Sequence, residues 1–131
     1  MPFCTKFALK KGKCMPFNKG DIITGVATKH PIIYLEDIDN ITFKACIITH
    51  ADDEQYPDNI RMTEYHFKER DEDGNRYEIS YDETFFVSKC LIKKNEWGPY
   101  EKKGELTLGG IEFVERMIEN ERAIYWEYYI G

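Results

Sequence analysis

Two short apolar runs dominate the hydrophobic pattern of this chain. They are His30-Pro31-Ile32-Ile33-Tyr34-Leu35 and, after a brief polar turn, Phe43-Lys44-Ala45-Cys46-Ile47-Ile48-Thr49-His50. Both are too short for helices and are rich in β-branched and aromatic residues, so they predict adjacent buried strands. Paired antiparallel across the Asp37–Asn40 turn, the start of the first lies beside the end of the second. Lys29, His30, Thr49 and His50 then converge on one edge of the sheet.

The remaining pattern adds strands on either side. Lys19-Gly20-Asp21 turns the chain into Ile22-Ile23-Thr24-Gly25-Val26, and only Ala27-Thr28-Lys29 separates that strand from the next, which predicts a tight hairpin. Pro31 suits the opening of a strand, where no donor to the ladder is needed. Alternation over Ile60–Phe67 and over Tyr77–Tyr81, joined through Asp71-Glu72-Asp73-Gly74-Asn75, predicts a half-buried hairpin with an acidic tip. Thr84–Ile92 is dense enough in apolar residues to be one long strand covered on both faces.

Residues 95–104, with Trp97-Gly98-Pro99-Tyr100, predict a loop. The strongest helix signal follows: Thr107 is the expected N-cap, and Ile111, Val114, Met117 and Ile118 share one face, widened by Phe113. Gly109 and Gly110 weaken its first turn by about 1 kcal/mol each relative to alanine, so the helix is expected to depend on docking. The tail Ala123–Ile130 is aromatic and strand-like, fitting an edge strand or a homodimer contact. Residues 1–18 predict an arm with no sustained period. These elements together predict one domain over residues 1–131, mainly β, a small antiparallel barrel with an added hairpin and a C-terminal amphipathic helix.

Composition narrows the function classes. Length and a 42% apolar fraction allow a core without metal or disulfide support. No run approaches the roughly 20 apolar residues of a membrane span and no signal-peptide pattern opens the chain, which points to the cytoplasm and to no membrane partner. Cys4, Cys14, Cys46 and Cys90 form no CxxC pair and no Cys/His cluster, so reduced thiols and no metal or other cofactor are expected. The formal charge of −6 is uneven. Residues 1–50 carry seven lysines against four acids, and residues 51–131 carry eleven basic against twenty acidic residues. Lys6, Lys10, Lys11, Lys13, Lys19 and Lys29 form either a polyanion-attracting face or a merely solubilising arm. No Gly-rich phosphate loop, nucleophile elbow or metal-spaced cluster is present, which argues against nucleotide hydrolases and metalloenzymes.

Four sequence pieces in order carry a family resemblance, over about residues 19–121. Lys19-Gly20-Asp21-Ile22-Ile23 resembles the opening strand of the MazF/PemK type II toxins, and His30-Pro31-Ile32-Ile33-Tyr34-Leu35 stands where they have Arg-Pro before an apolar strand. Ala45-Cys46-Ile47-Ile48-Thr49 resembles their third strand ending in Thr or Ser, and Gly104-Glu105-Leu106-Thr107 their lead into the last helix. The chain departs from that pattern at His30, in the short connection before it, and in the acidic hairpin tip. The resemblance, shared with gyrase-poisoning relatives, implies an SH3-like barrel. It also implies a cytoplasmic, dimeric endoribonuclease that cleaves single-stranded RNA without metal and is held in check by an antitoxin protein.

Such cleavage needs a base for the 2′-hydroxyl, an acid for the leaving oxygen and donors for the phosphorane charge. Carried over, His30 is the acid or base, Thr49 the phosphate donor and Lys29 the charge stabiliser. His50 and Arg61 are candidate substrate contacts. The ordinary alternatives are a His30 satisfied by a backbone carbonyl, a Thr49 bonded to its own strand end and an Arg61 paired with acids. Strand alternation sends Thr49 and His50 to opposite faces unless the strand has ended. His66 is expected in surface or hairpin packing. The competing function is a non-catalytic protein-interaction module on the same barrel, using the acidic face or the aromatic tail.

Overall fold

The structure, a computed structural model, describes residues 15–25, 30–51, 54–81 and 84–130. The N-terminal arm up to residue 14, with Cys4, Cys14 and four of the six candidate lysines, lies outside the described residues, as do the hairpin connection 26–29 and Lys29 within it.

The fold is mainly β. Eight strands are described: β1 (Asp21–Gly25), β2 (Ile32–Asp37), β3 (Thr42–Thr49), β4 (Asn59–Arg61), β5 (Phe85–Val87), β6 (Leu91–Lys94), β7 (Tyr100–Glu105) and β8 (Ile124–Tyr125). They are joined by helix α1 (Leu108–Ile118) and a terminal helical turn, α2 (Trp126–Ile130). The sheet runs β4-β5-β3-β2-β1-β7, with β6 also on β3 and β8 on β6. All pairs are antiparallel except β6 with β8. The two ends of this path approach each other, because Phe67, just beyond β4, bridges to Leu106, just beyond β7.

The two apolar runs are adjacent strands as expected, with Ile32 opposite Ile47 and Ile33 opposite Cys46. Their continuity has a simple cause, since both faces are covered. Ile22, Ile33, Leu35, Cys46 and Ile48 point into one core with Val114 and Ile118 of α1. Ile23, Ile32, Tyr34, Phe43, Ala45 and Ile47 point into a second core under Phe17, Tyr100 and Trp126. Cys46 and Cys90 are buried and unbridged.

Thr107 caps α1 as read, its hydroxyl oxygen accepting from Gly110 N at 3.0 Å. Val114 and Ile118 are buried, whereas Met117 sits at the rim of the stripe, 38% exposed. Gly110 is required by packing, since a Cβ there would run into the backbone of His66. His66 packs, but on the helix rather than in a hairpin: its ring stacks on Phe113 at 4.3 Å, and its Nδ1 accepts from Thr63 N.

Five expectations are corrected. The strand over Ile60–Phe67 stops at Arg61, and Glu64–His66 forms a 3-10 turn stabilised by the His66 side chain. Only the tip of the acidic hairpin forms, at the Arg70–Arg76 bridge, where Asp71 Oδ1 accepts from Asp73 N and Asn75 N. The long strand Thr84–Ile92 is broken at Ser88–Cys90. Both halves still run along β3, with Ile48 opposite Phe86 and Ala45 opposite Leu91, and the change in register between those pairs is accommodated by a bulge in which Ser88 N bonds Asp58 O.

Residues 100–105 form strand β7 rather than loop, paired along β1. This strand lacks apolar alternation because its side chains serve ion pairs. Lys102 lies 3.2 Å from both Asp21 and Glu105. The tail makes only two residues of strand before Trp126 folds onto Lys93, Glu127 meets Lys94 at 3.7 Å, and the chain turns helical.

Candidate functional site

The pairing of β2 with β3 determines what stands at the sheet edge. Ile48 N donates to Pro31 O at 2.9 Å, one step beyond the Ile32–Ile47 pair, and holds His30-Pro31 against the end of β3. His30, Pro31, Ile48, Thr49 and His50 consequently share an open cleft of about 470 Å³, within the size range of small-ligand sites. Thr49 and His50 both reach it because β3 ends at Thr49 and the strict alternation of faces ends with it. Three of the four residues expected at the edge are therefore together, and Lys29 lies outside the described residues.

Thr49 is buried, and its Oγ1 accepts from Ala51 N at 3.1 Å. That bond fixes the hydroxyl and uses an acceptor position, so the O–H remains the group's outward chemistry. Both imidazoles are solvent-accessible. Each neutral imidazole ring carries one hydrogen-bond donor and one acceptor.

Arg61 is elsewhere. It pairs with Phe85, which on its other side pairs with Thr49, so Arg61 stands two strands, or about 10 Å, from the edge. Its guanidinium lies 4.7 Å from the Phe85 ring centroid, and it does not line the cleft.

The opposite wall was not read from the sequence. Glu78, Ile79, Ser80, Tyr81 and Thr84 close the cleft from the side facing His30 and Thr49. This segment is no regular strand. Instead Ile79 N donates to Lys103 O of β7 at 3.0 Å, and Ile79 and Tyr81 pack against the core shared with α1. The approach to β7 is close enough that a Cβ on Gly104 would collide with the Ile79 carbonyl. Lys103 Nζ meets Glu78 at 2.8 Å and Glu101 at 3.2 Å, and these two carboxylates push its ammonium above the ordinary lysine range. The alternation over Tyr77–Tyr81 marks the segment but not its place, which depends on a pairing partner, β7, that is mostly charged.

The cleft thus offers two imidazoles and a fixed hydroxyl on one side and Glu78 on the other, with Pro31 and Ile79 as apolar surfaces between. Such a set can move protons and donate to an anion. Among the described residues no group of three or more His, Cys, Asp or Glu side chains is placed to hold a metal ion, and no helix is long and apolar enough to cross a membrane. No protein-family model, curated protein or solved structure matches this chain.

Proposed function

We propose that the protein is a toxin-type endoribonuclease that cleaves single-stranded RNA by internal transesterification without a metal, of the MazF/PemK kind. The observation that carries this reading is the meeting of His30, Thr49 and His50, nearly twenty residues apart in the chain, in one open cleft. In the reaction one imidazole takes the 2′-hydroxyl proton, the 2′-oxygen attacks phosphorus, and the bond to the 5′-oxygen breaks. The second imidazole, protonated, gives its proton to that oxygen, leaving a 2′,3′-cyclic phosphate. The Thr49 hydroxyl donates to a non-bridging phosphate oxygen as charge builds there.

Histidine in place of the family's arginine suits a general acid or base, because a neutral imidazole can both accept and donate a proton whereas a guanidinium only donates. A homodimer and a small antitoxin protein that fills the cleft belong to the same proposal, as does a cytoplasmic location. The test is digestion of a mixed-sequence single-stranded RNA in EDTA by the wild type, His30→Ala, His50→Ala and Thr49→Val. Cleavage to cyclic-phosphate ends that falls at least 100-fold in either histidine variant supports the reading. Equal traces for enzyme, variants and buffer refute it.

A non-catalytic interaction module is favoured by one separate observation, the aromatic tail. Tyr128 is 81% exposed, with Tyr125 and Tyr129 also open to solvent on the same short segment, a composition suited to protein contact. Pull-down with and without nuclease treatment separates the two, since recovery of nucleic acid alone counts against the module.

A further inference from the structure

We infer that Glu78 is a base-reading residue that selects guanine at the nucleotide bound in the cleft. The inference rests on the nucleic-acid reading of the site and adds the identity of the base.

The two walls of the cleft favour ligand groups of opposite charge. His30, Thr49 and His50 on the sheet edge are donors suited to a phosphate, whereas Glu78 on the facing wall repels one. A bound nucleotide therefore places its phosphate at the edge and turns its base toward Glu78. Between them Pro31 and Ile79 provide apolar surface for the faces of the base, and the cleft volume of about 470 Å³ holds a nucleotide.

The chemistry of an ionised carboxylate then narrows the base. It accepts hydrogen bonds and cannot donate. Guanine alone among the four bases presents two adjacent N–H donors on its pairing edge, N1–H and the N2 amino group, which match the two carboxylate oxygens. Adenine and cytosine place an acceptor nitrogen beside their amino group, and uracil sets its single N–H between two carbonyls. Lys103 Nζ, 2.8 Å from Glu78 Oε1, anchors that carboxylate to β7.

The carboxylate is also held in position. Lys103 is shared with Glu101 at 3.2 Å, and the Ile79 N to Lys103 O bond fixes the backbone beside Glu78. A base reader tied to a strand in this way keeps its geometry before the ligand arrives.

The test is NMR titration of the protein with 3′-GMP, 3′-IMP and 3′-AMP, for the wild type and Glu78→Gln, with cleavage of guanine- and inosine-containing RNA measured in parallel. Inosine lacks only the N2 amino group. The wild type is expected to bind 3′-GMP about 10- to 100-fold more tightly than 3′-AMP, with 3′-IMP between them. In Glu78→Gln the three are expected to converge, while thermal melting matches the wild type because the Glu78 side chain is exposed. Equal affinities in the wild type, a guanine preference that survives Glu78→Gln, or no binding at millimolar nucleotide each overturn the inference. Guanine-selective binding without RNA cleavage retains the base reader and removes the nuclease, and cleavage without guanine selectivity does the reverse.

Discussion

Lys93 offers the clearest energetic test of the fold. It is only 2% exposed, and its Nζ sits 3.7 Å from the Trp126 ring centroid and 5.6 Å from that of Trp97, so the C-terminal turn closes over a buried ammonium. Burial pushes this group down from 10.5 to about 8, which corresponds to about 3 kcal/mol of unfavourable desolvation at pH 7. The two indole faces return about 2 kcal/mol of that through cation–π attraction. Lys93→Met removes the charge and keeps the length and the contact with tryptophan. The variant is expected to be more stable by about 1 kcal/mol or more, a rise of about 3–4 °C in Tm per kcal/mol for a chain of this size.

The pH dependence gives a second readout on the same residue. Between about pH 8 and 10.5 the unfolded chain keeps a proton that folded Lys93 has released. The contribution of Lys93 to stability therefore rises with pH across that window, and the penalty is complete below it. Buried Cys46, Cys90 and Tyr34, whose protons the fold retains, act in the opposite direction in both proteins, so the readout is the stability of Lys93→Met minus that of the wild type by denaturant unfolding at pH 7, 8.5 and 10, which is expected to shrink as pH rises. A variant less stable by 1 kcal/mol or more at pH 7, with a difference that does not change with pH, would show that the indoles outweigh desolvation and refute the reasoning.

Two further predictions concern β7 and α1. Burial alone would raise the Glu105 carboxyl, but hydrogen bonds from Lys68, Tyr77 and Lys102 draw it down to about 2, so about 3 kcal/mol of stability is present above pH 4.5 and is lost as pH falls toward 2. Acid unfolding of Glu105→Gln should be shallower over that range, and a slope equal to the wild type's would contradict this. Gly110→Ala improves helix propensity by about 1 kcal/mol, yet its Cβ meets the His66 backbone, so a net loss of about 1–3 kcal/mol is expected from chemical denaturation. A gain in stability would mean that the 3-10 turn moves aside without cost.

What the sequence conveyed depended on whether a segment's environment was written in its own side chains. The runs 32–37 and 42–49 were legible because both of their faces are buried, and α1 because its cap and apolar stripe agree. Strand β7 was illegible because Tyr100–Glu105 is paired through its backbone and carries charges that meet partners far away in the chain, Lys102 with Asp21 and Lys103 with Glu78. The same division runs through the site. His30, Thr49 and His50 followed from strand register alone. The facing wall at Glu78–Tyr81 required knowing where β7 lies, and the distance of Arg61 from the edge depends on β5 lying between β4 and β3, which its own sequence does not record.

The contact of Gly104 with the Ile79 carbonyl has a consequence for how this protein can vary. Because the far wall rests on a strand behind it, the aperture of the cleft can be adjusted from the rear. A methyl group at position 104 would act as a shim against the Ile79 carbonyl, shifting residues 78–81 and resetting the width of the cleft from behind.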